Sequence, residues 1–175
     1  MKKYKLTDET IEYNCVTLYR IEALRNFGSI KAGDKGGFVQ SYHNLSQEGD
    51  CWIHGEAKVF GNAKVYENAL VFGRAEVYDW AKVYGKAQVF GDAKVYGNAF
   101  VKGDAIIKTD RDYIVFKNWW SSNRYFTWTR SNNMWNVGCF YGTGKELIKK
   151  AYADSEDSGK EYERVVRYVE SILAD

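Results

Sequence analysis

The residues best suited to chemistry are concentrated in residues 116–144, FKNWWSSNRYFTWTRSNNMWNVGCFYGTG. This stretch combines the flat rings of Trp119, Trp120, Tyr125, Trp128 and Trp135 with the cations Lys117, Arg124 and Arg130. Rings stack on bases and guanidinium groups grip phosphates, so these residue types together suit a small nucleotide-like ligand. The plainer reading of the same residues is a small sheet whose large aromatics seal the end of a larger domain. Arg and Asn set among Trp are uncommon in a purely structural seal, so the eight residues named form the candidate ligand-binding set.

Catalytic constellations are harder to assemble. The chain has two histidines, His43 and His54. His54 falls at an outward position of a repeat described below, in one column with Phe72 and Phe90, and reads as a ladder residue. His43, in SYHNLSQEG ahead of the regular repeats, is the candidate general base. No nucleophile stands at a spacing that pairs it with either histidine, and there is no P-loop. GTGKE offers backbone N–H groups to an anion but reads first as an ordinary helix start. Cys15, Cys51 and Cys139 are odd in number, far apart and without a CxxC, which argues against a zinc site or a disulfide framework. No catalytic residue, metal or cofactor is expected.

Three kinds of element must position these residues. The chain is 175 residues long and 45% hydrophobic, enough for one domain with small appendages. Its net charge of +2 is too weak to argue for duplex DNA. MKKYKLTDET has no apolar leader and no stretch approaches a membrane span, so a reducing cytoplasm is the expected compartment. With 16 Gly and no Pro, turns must be made by Gly and Asn. Residues 1–37 hold VTLYRIEAL, alternating as a strand does, and then a Gly-rich turn, and are expected to form a β cap. Residues 38–110 hold the repeat. Residues 111–175 read as three strands followed by two amphipathic helices, the first over about residues 145–153. The second helix places Tyr162, Val165, Val166, Val169, Ile172 and Leu173 at helical spacing, and DSEDSGKEYER before it reads as a solvated turn.

The repeat decides the fold. From Ala57 to Ala105 every sixth residue is Ala, and from Ile53 to Ile107 every sixth residue is Val or Ile, two places later. A separation of two puts both columns on the same, inward side of a strand, and the Gly-x pair that follows turns a corner. A period of six makes no continuous stripe on an α-helix, so the pattern predicts a parallel β-helix with three hexads per coil. Counted backward, Cys51, Leu45 and Val39 fall in the Ala column, for about four coils over residues 39–110.

Residues eighteen apart then stack on one of three outward faces. The first carries Trp52, Leu70, Gln88 and Ile106 with His54, Phe72, Phe90 and Lys108. The second carries Lys58, Glu76 and Lys94 with Phe60, Tyr78 and Tyr96; the third carries Lys64, Lys82 and Phe100 with Tyr66, Tyr84 and Lys102. The first face is too apolar for water, so Trp52, Leu70, Phe72, Phe90 and Ile106 are expected to meet another subunit or the chain's own C-terminal region. The aromatic columns read chiefly as intercoil ladders and secondarily as ring platforms.

The V-x-G-N-A-x spelling resembles the hexapeptide repeat of left-handed β-helices, and the handedness is implied by that resemblance. Proteins of this class are best known as acyltransferases with a His base near a subunit boundary, and commonly form trimers. Over nearly the whole chain, KAGDKGGFVQSYHNLSQEGDCWIHGEAKVFGNAKVYENA and WWSSNRYFTWTRSNNMWNVGCFYGTGKELIKKAYADSEDSGKEYERVVRYVE resemble hexapeptide-repeat proteins of bacteriophages and prophages, often labelled polymer-forming. No settled catalytic residues come with that family, so none are carried over. What the resemblance implies is a non-enzymatic, oligomeric phage protein in the host cytoplasm. Its expected role is counter-defence, by sequestering a nucleotide-derived immune signal. The alternatives are a module that blocks a host defence protein by surface contact, and a hexapeptide-repeat acyltransferase.

Overall fold

A computed structural model describes residues 1–118 and 122–174. It is mainly β: a solenoid of about four turns, a C-terminal β-meander and two α-helices. Between Trp52 and Ile107 the chain makes ten two-residue strands, β4 (Trp52–Ile53) to β13 (Ile106–Ile107), one per hexad. Parallel pairing links strands one coil apart, as in Gln88 with Leu70 and Ile106, or Lys82 with Lys64 and Phe100. Every Ala and Val of the two columns is fully buried, as inward alternation requires.

The corner after each strand needs a positive φ, which glycine adopts without a Cβ clash. Gly73 takes φ 72° and Gly85 φ 74°, whereas Glu67 and Asp79 hold the same corner at 59° and 58°. Both carboxylates repair a backbone defect one coil on. Glu67 Oε2 accepts from Gly85 N at 2.9 Å and Asp79 Oδ2 from Gly97 N at 3.1 Å, partnering amides that the coil ladder leaves over. The outward rings stack as ladders: Phe60, Tyr78 and Tyr96 at 5.2 and 5.3 Å, Tyr66 on Tyr84 at 4.7 Å, and Phe72 on Phe90 at 4.7 Å. These separations follow the spacing of neighbouring strands, so ring stacking and backbone pairing reinforce each other.

The N-terminal segment extends one solenoid face. Strands β1 (Tyr4–Tyr13) and β2 (Val16–Ala23) form an antiparallel hairpin. Strand β3 (Lys35–Val39) pairs antiparallel with β2 and parallel with β5 (Lys58–Val59). The backward count of the repeat is corrected here. Val39 pairs with Val59 and Leu45 with Val65, so both belong to the branched column and not the Ala column. Cys51 does take the Ala position, because Trp52 pairs with Leu70 in ordinary register. Residues 46–50 therefore hold two residues more than a hexad allows. An excess of two keeps inward residues inward, which is why it is invisible to parity.

The C-terminal sheet runs in the order β14 (Tyr113–Lys117), β15 (Tyr125–Thr129), β16 (Met134–Val137), β17 (Phe140–Gly142), all antiparallel. Four strands replace the three expected, because Gly138 at φ 60° turns the chain inside MWNVGCFY. Helix α1 (Gly144–Asp154) starts on a capping box in which Thr143 and Glu146 each receive the other's backbone N–H. Helix α2 (Glu156–Ala174) begins after Ser155 alone, so most of the expected solvated turn is helix. Tyr162, Val166 and Val169 are buried, while Ile172 and Leu173 in its last turn are exposed. Among the described residues no helix is long and apolar enough to cross a membrane.

Candidate functional site

The sheet is covered on both sides, and this decides the fate of the aromatic-Arg segment. Phe126, Trp128, Trp135 and Val137 form one core with Leu147, Ala151, Tyr162, Val166 and Val169 of the helices. The opposite side meets the third face of the solenoid. There Phe100 N donates to Thr127 Oγ1 at 2.9 Å and Asn136 Nδ2 donates to the Tyr84 hydroxyl at 2.7 Å. Trp128 and Trp135 are each only 2% exposed and paired across strands. As ring platforms for a ligand they are corrected to core residues, since no ring face is left open to a solute.

The cations of the set are dispersed. Lys117 and Tyr125 pair at one end of the β14–β15 hairpin, with the ammonium 5.6 Å from the Tyr ring centre, and Arg124 is next to them. Arg130 lies past the other end of β15, its N donating to Asp112 O at 2.8 Å. The five residues of β15 separate the two arginines, a Cα span of roughly 20 Å over six steps. The two arginines stand at opposite ends of β15 and do not converge on one phosphate group. Trp119 and Trp120 lie outside the described residues.

A better anion site lies at the other end of the third face. The sheet covers Tyr84, Phe100 and Lys102 but leaves the first coils open, and a cleft of about 430 Å³ remains there. Its floor is Lys64, Val65, Tyr66 and Lys82; its wall is the segment carrying Tyr42, His43, Leu45, Ser46 and Gln47. The volume is in the range of small-molecule sites. Lys64 and Lys82 stack one coil apart in strict register, and among the described residues neither has an ion-pair partner. No carboxylate lines the cleft. Two lysines on neighbouring strands raise the local potential, and their long flexible side chains are able to reach the oxygens of a phosphate or its diester.

The wall is held firmly. Tyr4, fully buried, donates its hydroxyl to Leu45 O at 2.7 Å. Gln47 Oε1 accepts from Lys3 N at 2.7 Å, and the Tyr42 hydroxyl accepts from Leu6 N at 3.3 Å. Asn44, buried, donates from Nδ2 to Gly61 O and Ala63 O at 3.0 Å each, locking the segment onto the first coil. Tyr42 is 43% exposed, with the Lys2 ammonium 4.8 Å from its ring centre and the Tyr4 ring at 5.7 Å. Burial pushes the phenols of Tyr66 and Tyr84 above their usual range. His43 donates its backbone N–H to Ser41 Oγ, and Ser46 Oγ accepts from Glu48 N. Both hydroxyl oxygens accept turn amides.

A second cleft of about 470 Å³, between Tyr96, Asn98, Asp110, Tyr113 and Tyr125, carries a carboxylate and no cation. It suits an anion less well. His54 sits half-buried on the first face, where desolvation lowers its pKa below the ordinary histidine value. The first face itself divides. Trp52 is buried under Tyr4 and Phe27, at ring separations of 6.2 and 5.3 Å, and as an interface residue it is corrected to core. Leu70, Phe72 and Phe90 stay half-buried and Ile106 is 38% exposed. The C-terminal helices lie beyond the sheet on the third face and do not cover them.

Sequence reasoning missed the Tyr42–Lys82 cleft, although Lys64, Tyr66 and Lys82 were legible as one face. Nothing local says that the wall segment folds over that face or that the sheet stops short of it. No protein-family model and no curated protein matches this sequence.

Proposed function

We propose that this chain is a non-catalytic binding protein that sequesters a small anionic, ring-bearing ligand of the nucleotide-derived class. The observation that carries the reading is that Lys64 and Lys82, one coil apart and without a carboxylate partner, line a carboxylate-free cleft with Tyr42 and Tyr66. The lysines take the phosphate oxygens and Tyr42 takes a base. The resemblance to phage and prophage proteins supplies the biological role: removal of an immune signal from the infected cell.

Titration calorimetry with cyclic dinucleotides, cyclic trinucleotides and cyclic ADP-ribose-type molecules tests it. At least one member of the panel binds at micromolar concentration or tighter and is recovered intact after heating the complex. Charge-assisted bonds contribute about 1.5–3 kcal/mol each, so Lys64→Glu with Lys82→Glu weakens binding by roughly a hundredfold or more. Arg130→Ala leaves it unchanged. Unaltered affinity in the double variant removes the cleft from consideration.

The chain acts as a homo-oligomer, a trimer by its resemblance, through Leu70, Phe72, Phe90 and Ile106. A stripe of stacked apolar rings half open to water supports this. Light scattering gives the trimer mass for the wild type and the monomer mass for Phe72→Lys with Phe90→Lys. A monomeric wild type would leave the stripe to a host protein, the reading of the chain as a blocking module.

A further inference from the structure

Lys3 is the one lysine with no exposed surface, and no carboxylate pairs with its ammonium among the described residues. Its Nζ lies 3.2 Å from Cys51 Sγ, with Cys51 O at 2.9 Å and Glu48 O and Gly49 O at 3.3 Å each. Cys51 is likewise fully buried. The pair sits under residues 46–50, the segment with two residues beyond the hexad, which closes over the end of the first coil. A structural amine there needs only the three carbonyls. The thiol is the additional partner, placed where every later coil has the Ala column.

We propose that Lys3 and Cys51 are a modification site, joined by dioxygen into a covalent N–O–S bridge between Nζ and Sγ. Burial is the main force pulling the Lys3 ammonium below its usual pKa and pushing the Cys51 thiol above its own, although each partner's charge opposes this. Burial thus shifts both groups in the direction of the uncharged forms that the reaction consumes. One N–H, one S–H and the O–O bond break, and one N–O and one O–S bond form. Nitrogen and sulfur each give up two electrons, dioxygen accepts all four, and its second oxygen leaves with the two hydrogens as water. An oxygen bridge spans most of the existing N···S separation, whereas a direct N–S bond requires the atoms to close about half of it. Dioxygen is small and apolar, which suits a site closed to larger oxidants. The bridge ties the residue just ahead of β1 to the first coil, beside the Gln47 that holds the cleft wall through Lys3 N.

The test uses the full-length chain with Cys15→Ser and Cys139→Ser, which removes both exposed thiols and every disulfide. Folded protein is held in oxygenated buffer or anaerobically, digested, and mapped by mass spectrometry. The oxygenated sample contains a peptide pair joining Lys3 to Cys51, heavier than the sum of its parts by one oxygen less two hydrogens, and a thiol reductant separates it. The anaerobic sample lacks it, and so do oxygenated Lys3→Arg and Cys51→Ala. A folded, oxygenated sample without the joined pair overturns the proposal, as does a pair joined with no oxygen gained. Because the decisive measurement is on a chain with Lys3 and Cys51 intact, it stands even if those two variants fail to fold.

Discussion

Val83→Asp unfolds the solenoid, whereas Lys82→Asp beside it leaves the fold standing. Val83 is fully buried and lies in register between Val65 above and Val101 below. A carboxylate there has no cation and no donor, because the prism interior is lined by Ala and Val. Burying it costs about 3–5 kcal/mol or more, a large part of the roughly 5–15 kcal/mol that holds a domain together. Lys82 points outward, its ammonium 5.0 Å from the Phe100 ring centre. Its loss removes one cation–π contact of about 0.5–1 kcal/mol. Chemical denaturation followed by circular dichroism separates the two variants. Equal damage at both positions would remove the inward–outward alternation on which the coil is built.

Trp128→Ala lowers stability by about 3–5 kcal/mol, the cost of emptying a large aromatic from a packed core. For a chain of this size that is a fall of roughly 10 °C in Tm. The ring packs with Phe126, Trp135 and the helices, and its Nε1 donates to Asn133 Oδ1 at 2.8 Å, holding the turn in which Asn133 takes φ 53°. Ligand affinity, measured where the variant is folded, stays that of the wild type. A variant that melts normally yet loses ligand would return Trp128 to the role of ring platform.

These two residues mark how far the sequence can be read. Val83 was assignable from spacing alone, because a column repeated every six residues gives the same answer in each hexad, and because the neighbour that buries Val83 is another copy of itself. The ladder Phe72 on Phe90 follows for the same reason. Trp128 was not assignable, because β15 shows no alternation: four consecutive residues, Phe126 to Thr129, are buried. One side of that strand faces the helices and the other faces the solenoid, so burial there depends on two partners remote in sequence. The same holds for the arginines. Arg124 and Arg130 are near in sequence and apart in space because an extended strand separates them.

The sequence by itself determined the solenoid, its inward columns, its three outward faces and the helical stripe of α2, since each is a local periodicity that strand or helix geometry converts directly into a direction. Tertiary structure decided the rest. It placed the two-residue excess in residues 46–50, laid the sheet over the third face, and buried Trp52 under Tyr4 and Phe27. It also folded Tyr42 and Gln47 beside Lys64 and Lys82, making the cleft. Parity survives an insertion of two, and docking is set by the shape and polarity of two assembled surfaces, neither of which exists until the coils have stacked.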